Sequence, residues 1–281
     1  MINKVIVFGA GAMGAAIAQI TAQTGKQVWL CDIEDRFVQA GMEKIKANLD
    51  KRVAKGKIAD AAPIMARITP ITDFKQAGDD IDLVIEAIIE SVPAKQELFA
   101  KLDAYYPEKT IFATNTSAIS ITEIAYAVKR PDKFIGMHFF NPVVLLKLIE
   151  LARGLCTSDE TFAIAREFCL QIGKDPVEVR ESPGFVVNRL VIPMLNEAIF
   201  VLESGIASAE DIDKALVLGA DQPTGPLHMA DHIGLDVVLA VIETLHRDLG
   251  DKYRPAPLLK KMVKAGKLGQ KTGEGFFVYN K

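Results

Sequence analysis

Residues 5–14, VIVFGAGAMG, run a β-branched strand straight into Gly9-x-Gly11-x-x-Gly14 and on into a helical stretch. Few folds place three glycines this way between a strand and a helix. Gly9 permits a tight turn, Gly11 lets backbone approach a pyrophosphate, and Gly14 lets helix and strand pack closely, with Ala12 and Met13 in the turn between them. The first N–H groups of the helix then face the phosphate charge. The second strand ends in Asp32, eighteen residues past Gly14. An acid there bonds the adenosine ribose hydroxyls and repels a 2′-phosphate, so NAD(H) is expected over NADP(H), a preference that Arg36 softens. Small residues at this spacing also serve ordinary strand-to-helix packing, and Asp32 could merely cap the helix that follows.

The first 180 residues repeat that alternation. Strands are predicted at 4–9, 27–32, 82–87, 110–115, 133–139, 147–152 and 176–180, with room for helices at 12–24, 34–55, 94–104 and 121–128. Strands alternating with helices imply a Rossmann-type, doubly wound, mostly parallel α/β sheet. The last two strands follow tight connections and are expected to turn antiparallel. After ESPGF at 181–185 only helical periodicity remains, so the boundary belongs near Pro183. That gives a dinucleotide-binding domain over 1–182 and an all-α C-terminal domain over 183–281. SAED at 208–211 sets a Ser cap before two acids, a helix-start signature.

A net charge of −3 gives no reason to expect nucleic acid or an anionic membrane as partner. Cys31, Cys156 and Cys169 are odd in number and form no CxxC. They read as reduced, buried structural thiols in a cytoplasmic compartment, not as a disulfide framework or metal site. The longest apolar candidate for a membrane helix, 184–203, is broken by Asn188, Arg189, Asn196 and Glu197. A strand beginning by Lys4 leaves no signal or transit peptide expected.

In open parallel sheets ligands bind beyond the carboxyl ends of the strands. Glu86, Glu90 and Lys95 follow one such end, and Asn115, Thr116 and Ser117 close another. Solvated helix charges and a locally hydrogen-bonded turn would explain both equally well. GMHFFNP at 136–142 ends the next strand, and KLIELA at 147–152 returns beside it. Glu150 alternates onto the face of Leu146 and Leu148, an apolar face where an unpartnered carboxylate would be costly. The nearest partner across the turn is His138, and the acid would orient its ring. An ordinary core histidine with a backbone-bonded Glu is the alternative; beside a dinucleotide turn, the pair reads as the general base of alcohol oxidation. His228, His232 and His246 read as structural.

Taken together, GAGAMGAAIAQ at 9–19, VIEAIIE at 84–90, ATNTSAISITEIA at 113–125, HFFNP at 138–142, SPGFVVNRL at 182–190, GPLHMADHIGLD at 225–236 and GQKTGEGFFVY at 269–279 resemble the short-chain 3-hydroxyacyl-CoA dehydrogenases, the bacterial 3-hydroxybutyryl-CoA enzymes most of all. The resemblance runs nearly the full length. It implies reversible oxidation of a (3S)-3-hydroxyacyl-CoA with NAD, His138 as base, Glu150 as its partner, and Ser117 and Asn188 at the reacting oxygen or holding substrate. It places Asp32, Glu90, Lys95, Asn115, Ser117, Asn141 and Lys271 at the cofactor, Met13 being packing, and the site in an interdomain cleft. Coenzyme A is a polyanion, and the basic segment 43–57 offers Lys51, Lys55 and Lys57, although some members carry Ser where Leu49 stands here. The apolar helices of the second domain, 225–236 among them, imply a homodimer. Two other readings stay open: a non-catalytic dinucleotide binder, as relatives recruited as lens crystallins illustrate, and an enzyme acting on a free hydroxy acid or sugar acid.

Overall fold

The computed structural model describes residues 2–279, which form two compact units divided between Glu181 and Ser182. The first contains β1 (Lys4–Phe8), α1 (Ala12–Gln23), β2 (Gln27–Cys31), α2 (Asp35–Ala54), α3 (Ala62–Met65), β3 (Ile68–Ile71), β4 (Leu83–Glu86), α4 (Val92–Tyr105), β5 (Ile111–Thr114), α5 (Ile121–Ala125), β6 (Phe134–Phe139), β7 (Leu148–Arg153), α6 (Asp159–Gln171) and β8 (Asp175–Arg180). Among the described residues these strands make one sheet in the order β3-β2-β1-β4-β5-β6-β7-β8. From β3 to β6 every neighbour is parallel. β7 then reverses against β6, and β8 follows β7 in parallel. Strand order changes direction at β1 and β4, the switch point where such sheets bind ligands.

Both faces of the central strands are covered, so β1, β4 and β5 read as apolar runs with polar residues only at their ends. Val5, Val7, Leu83, Ile85 and Ile111 are buried, each side chain contributing about 1.5–3 kcal/mol. Three elements escaped the sequence reading. β3, ITPI, buries only its two isoleucines, and as an edge strand it tolerates Pro70. α3 is a single turn. α6 carries a start signature equivalent to SAED: Ser158 accepts from Thr161 N at 3.1 Å, with Asp159 and Glu160 in the first turn. Leu146, expected on the face of Glu150, instead lies exposed before β7 begins at Leu148, because the chain turns after Pro142.

The second unit holds α7 (Val187–Glu203), α8 (Ala209–Gly219), α9 (Pro226–Ile233), α10 (Leu235–Leu249) and α11 (Pro257–Lys264). Ser208 caps α8 by accepting from Asp211 N at 3.1 Å. Ile192, Leu195, Ile199, Leu227, Leu235, Val238, Ile242 and Leu259 form this unit's own core. The stretch 225–236 therefore directs Leu227, Ala230 and Leu235 inward, while Leu190, Ile206 and Leu218 are among the large apolar side chains left exposed. Asn196, buried in α7, satisfies both ends of its amide on Arg254 O (3.0 Å) and Ala256 N (2.8 Å). No helix among the described residues is long and apolar enough to cross a membrane.

Candidate active site

The glycine turn has the geometry a dinucleotide needs. Gly9 has φ +91°, and a Cβ there would lie 2.4 Å from the carbonyl oxygen of Ala87. At Gly14 a Cβ would fall 1.7 Å from Gly9 O, so any side chain would push α1 off β1. Gly11 differs: it has no atom within 4 Å of where a Cβ would stand, and it begins α1 without a side-chain cap. Open space beside uncapped helical N–H groups suits a pyrophosphate. Met13 packs against the core, and Ala12 lies beside a cavity described below.

Asp32 lies just past β2 and accepts from Ala10 N and Ile33 N, both at 2.7 Å. Its carboxylate is thus fixed on the turn, and each oxygen retains a lone pair for a further donor. The alternative role as a helix cap does not hold, since Glu34 occupies the N-cap of α2. Arg36 bonds that same Glu34 at 2.9 Å and stacks on Phe37.

At the end of β4, Glu86 meets Lys95 of α4; the two are 0% and 1% exposed and lie 2.6 Å apart. Lys95 Nζ also reaches Glu90 at 3.2 Å. Glu86 further accepts from Ile88 N at 2.8 Å and from Thr114 Oγ at 2.6 Å. Glu90 accepts from Thr116 Oγ1 and, at 3.1 Å, from Ser117 N. A chain of charges therefore runs from the buried end of β4 to the Ser117 backbone. Neither Glu86 nor Lys95 is a solvated charge, which was one sequence alternative. Ser117 is half-buried and its hydroxyl has no hydrogen-bond partner among the described residues. Asn115 ties β5 to β6 by accepting from Phe139 N at 2.9 Å.

His138 and Glu150 are directly opposed in the β6–β7 ladder, and Nδ1 lies 2.8 Å from the Glu150 carboxylate. Both are buried, at 6% and 1% exposure. A carboxylate only accepts, so Nδ1 carries the proton and the neutral ring has its lone pair on Nε2. Lys174, buried at the start of β8, donates to the carbonyls of Val143 and, at 2.6 Å, Leu146, pinning the turn that joins the two strands. Desolvation lowers its pKa.

The same turn borders a cavity of about 220 Å³, where Asn141 faces Lys44, Asn48 and Gln19 from α1 and α2. Gln19 Nε2 donates to Asn48 Oδ1 at 2.9 Å. Sequence reasoning missed Asn48 and dwelt on Leu49, which is fully buried. Its signal was positional: Lys44, Asn48 and Lys51 share one helical face, and Lys55 extends it as the C-cap. Lys51, Lys55 and Lys57 are exposed, the last lying beyond the helix.

In the second unit, Asn188 stands in the first turn of α7, half-buried. Lys271 is ion-paired with Asp236 at 2.5 Å. His228 pairs with Asp213 at 2.6 Å and stacks on Phe277, while His232 and His246 bond Gln270 and Asp251. Cys31 and Cys169 are buried, and burial pushes the Cys31 thiol up to about 12 and Cys169 up as well. Cys156, expected inside, is exposed, because it falls in the turn between β7 and α6.

The family model described as the 3-hydroxyacyl-CoA dehydrogenase NAD binding domain matches residues 4–182, and that of the C-terminal domain matches 184–279. A 3-hydroxybutyryl-CoA dehydrogenase of Clostridioides difficile is 48% identical over 281 residues, covering 99% of this chain and 100% of the relative. The human mitochondrial hydroxyacyl-coenzyme A dehydrogenase is 42% identical, over 99% of this chain and 92% of its own. The crystal structure of (S)-3-hydroxybutyryl-CoA dehydrogenase from Ralstonia eutropha superposes with a TM-score of 0.95 at 48% identity, covering 100% of both chains. A glycine turn with its acid, a buried His–Glu pair at the sheet's carboxyl edge, and full-length similarity in both units agree: the chain belongs to the 3-hydroxyacyl-CoA dehydrogenase family.

Proposed function

We propose that this protein catalyses the reversible, NAD-dependent oxidation of (3S)-3-hydroxybutyryl-CoA, and of short-chain 3-hydroxyacyl-CoA thioesters generally, to the 3-ketoacyl-CoA. The observation that carries this reading is the buried His138–Glu150 pair at the carboxyl edge of a sheet whose first turn accommodates a dinucleotide. His138 Nε2 takes the proton of the 3-hydroxyl, and in the reverse direction the protonated ring returns it to the substrate oxygen. Glu150 keeps its hydrogen bond from Nδ1 throughout, holding the tautomer and balancing the charge of the ring. The bound nicotinamide supplies the hydride acceptor or donor. Ser117 Oγ donates to the same substrate oxygen, where charge develops. Asn188 is assigned to the substrate by the resemblance.

Asp32 receives the adenosine ribose, which supports NAD(H) over NADP(H), and Arg36 is drawn to Glu34 by an exposed ion pair. Lys95 is committed to two carboxylates, which supports a role through Glu90 and the Ser117 segment instead of a direct cofactor contact. The test follows nicotinamide absorbance with acetoacetyl-CoA and with free acetoacetate, each with NADH and NADPH. Fast oxidation of NADH with the thioester alone is expected. Equal rates with free acetoacetate would remove coenzyme A from the reading, and equal efficiency with NADPH would remove the role of Asp32.

The Asn48 face of α2 and its cavity support coenzyme A binding. Replacing Lys51 and Lys55 together by Ala should raise KM for acetoacetyl-CoA about twofold to thirtyfold and leave KM for NADH alone, two exposed charges contributing roughly 0.2–1 kcal/mol each. Steady-state kinetics in both substrates checks this, and an unchanged thioester KM makes these two lysines an ordinary solvated surface. Leu190, Ile206 and Leu218, exposed on the second unit, support homodimerisation. Cysteine usage supports a reducing compartment such as the cytoplasm.

A further inference from the structure

Glu181, the last residue of the first unit, is assigned no role by the family's site pattern, yet it makes a concentrated set of contacts. Its Oε2 accepts from Ser120 Oγ at 3.0 Å and Thr122 N at 2.8 Å, and its Oε1 accepts from Thr122 Oγ1. Thr122 Oγ1 in turn accepts from Leu155 N at 2.7 Å. Glu181 N donates to Arg153 O at 3.2 Å, which anchors the carboxylate at the end of β7. Two glycines make room for the segment it holds. A Cβ at Gly136 would lie 2.7 Å from Ile121, and one at Gly154 would lie 3.2 Å from Thr122 Oγ1. Ser120 is the N-cap of α5 and stands three residues from Ser117, whose own backbone is held by Glu90. The segment that carries Ser117 is thus clamped by one carboxylate at each end.

We propose that Glu181 is a positioning residue for Ser117: by fixing Ser120 and Thr122 it sets where the Ser117 hydroxyl stands. The proposal rests on the assignment of Ser117 to the substrate oxygen. A misplaced group at a reacting centre loses rate steeply with distance, so the loss should appear in kcat. A carboxylate that merely capped α5 would change thermal stability and leave the chemistry of Ser117 untouched.

The test is a double-mutant cycle on acetoacetyl-CoA reduction by NADH, using Glu181→Gln, Ser117→Ala and the double variant, with a melting curve for each. Glu181→Gln should lower kcat about tenfold, by misplacement, with the KM for NADH little changed. In the Ser117→Ala background the same change should alter kcat less than twofold, because the hydroxyl it positions is gone. Losses that multiply, or an unchanged kcat in Glu181→Gln, overturn the proposal. An unchanged kcat in Ser117→Ala alone overturns the Ser117 assignment, and the proposal falls with it. Should Glu181→Gln fail to fold, Thr122→Val removes one donor at constant shape and runs through the same cycle, with the same non-additivity required.

Discussion

Replacing His138 by Asn should lower kcat for acetoacetyl-CoA reduction about 10² to 10⁴-fold, the range a positioned acid–base group contributes. Asn is the informative choice because Glu150, 1% exposed, must keep a donor. An amide N–H can replace the Nδ1–H at that carboxylate, whereas Ala would orphan a buried charge and confound kinetics with unfolding. NADH binding, read by fluorescence titration, should persist in His138→Asn, since the glycine turn and Asp32 follow β1 and β2, away from β6. Glu150→Gln should fall between the variant and the parent: the ring stays, while its tautomer and its countercharge are lost. If His138→Asn turned over at the parent rate, another group would have to handle the proton.

How far the sequence foretold this site depends on what kind of contact made it. The His138–Glu150 pair was legible because two strands joined by a short turn must lie side by side, and their register then follows from burial. Strand ends were less legible. The apolar runs read as strands continue through Gly9, Asp32, Ala87 and Asn115, yet the strands stop one residue earlier in each case. Periodicity reports side-chain burial, whereas these residues leave the ladder to build the turn or the site. Asn48 was hidden by its company, a helix dense in lysine whose core residue Leu49 drew the attention. Glu181 offered no local signal at all, since its partners Ser120 and Thr122 lie 61 and 59 residues away. The Glu86–Lys95 pair was left open for a related reason. Charged residues flanking a strand usually face water, and only the fold, which brings Lys95 of α4 to the buried end of β4, takes both out of it.

That pair yields the largest expected effect on stability. Lys95→Met keeps most of the volume of the side chain and removes its charge, leaving Glu86 with three hydrogen-bond donors reduced to two and no countercharge. Breaking a buried pair from one side costs about 3–5 kcal/mol. For a chain of this size, Tm should fall by roughly 10 °C. Adding Glu86→Gln should recover a good part of the loss, because the second change removes the orphaned charge. A cavity or a packing defect would predict the opposite, with each change adding its own cost. Kinetics adds an independent readout. Lys95 also steadies Glu90, which holds the Ser117 backbone, so the stability-restored double variant should still reduce acetoacetyl-CoA more slowly than the parent. Stability and rate separate here because the inner half of the network, Glu86 with Lys95, secures β4, while the outer half, Glu90 with Thr116 and Ser117, carries that order to the site.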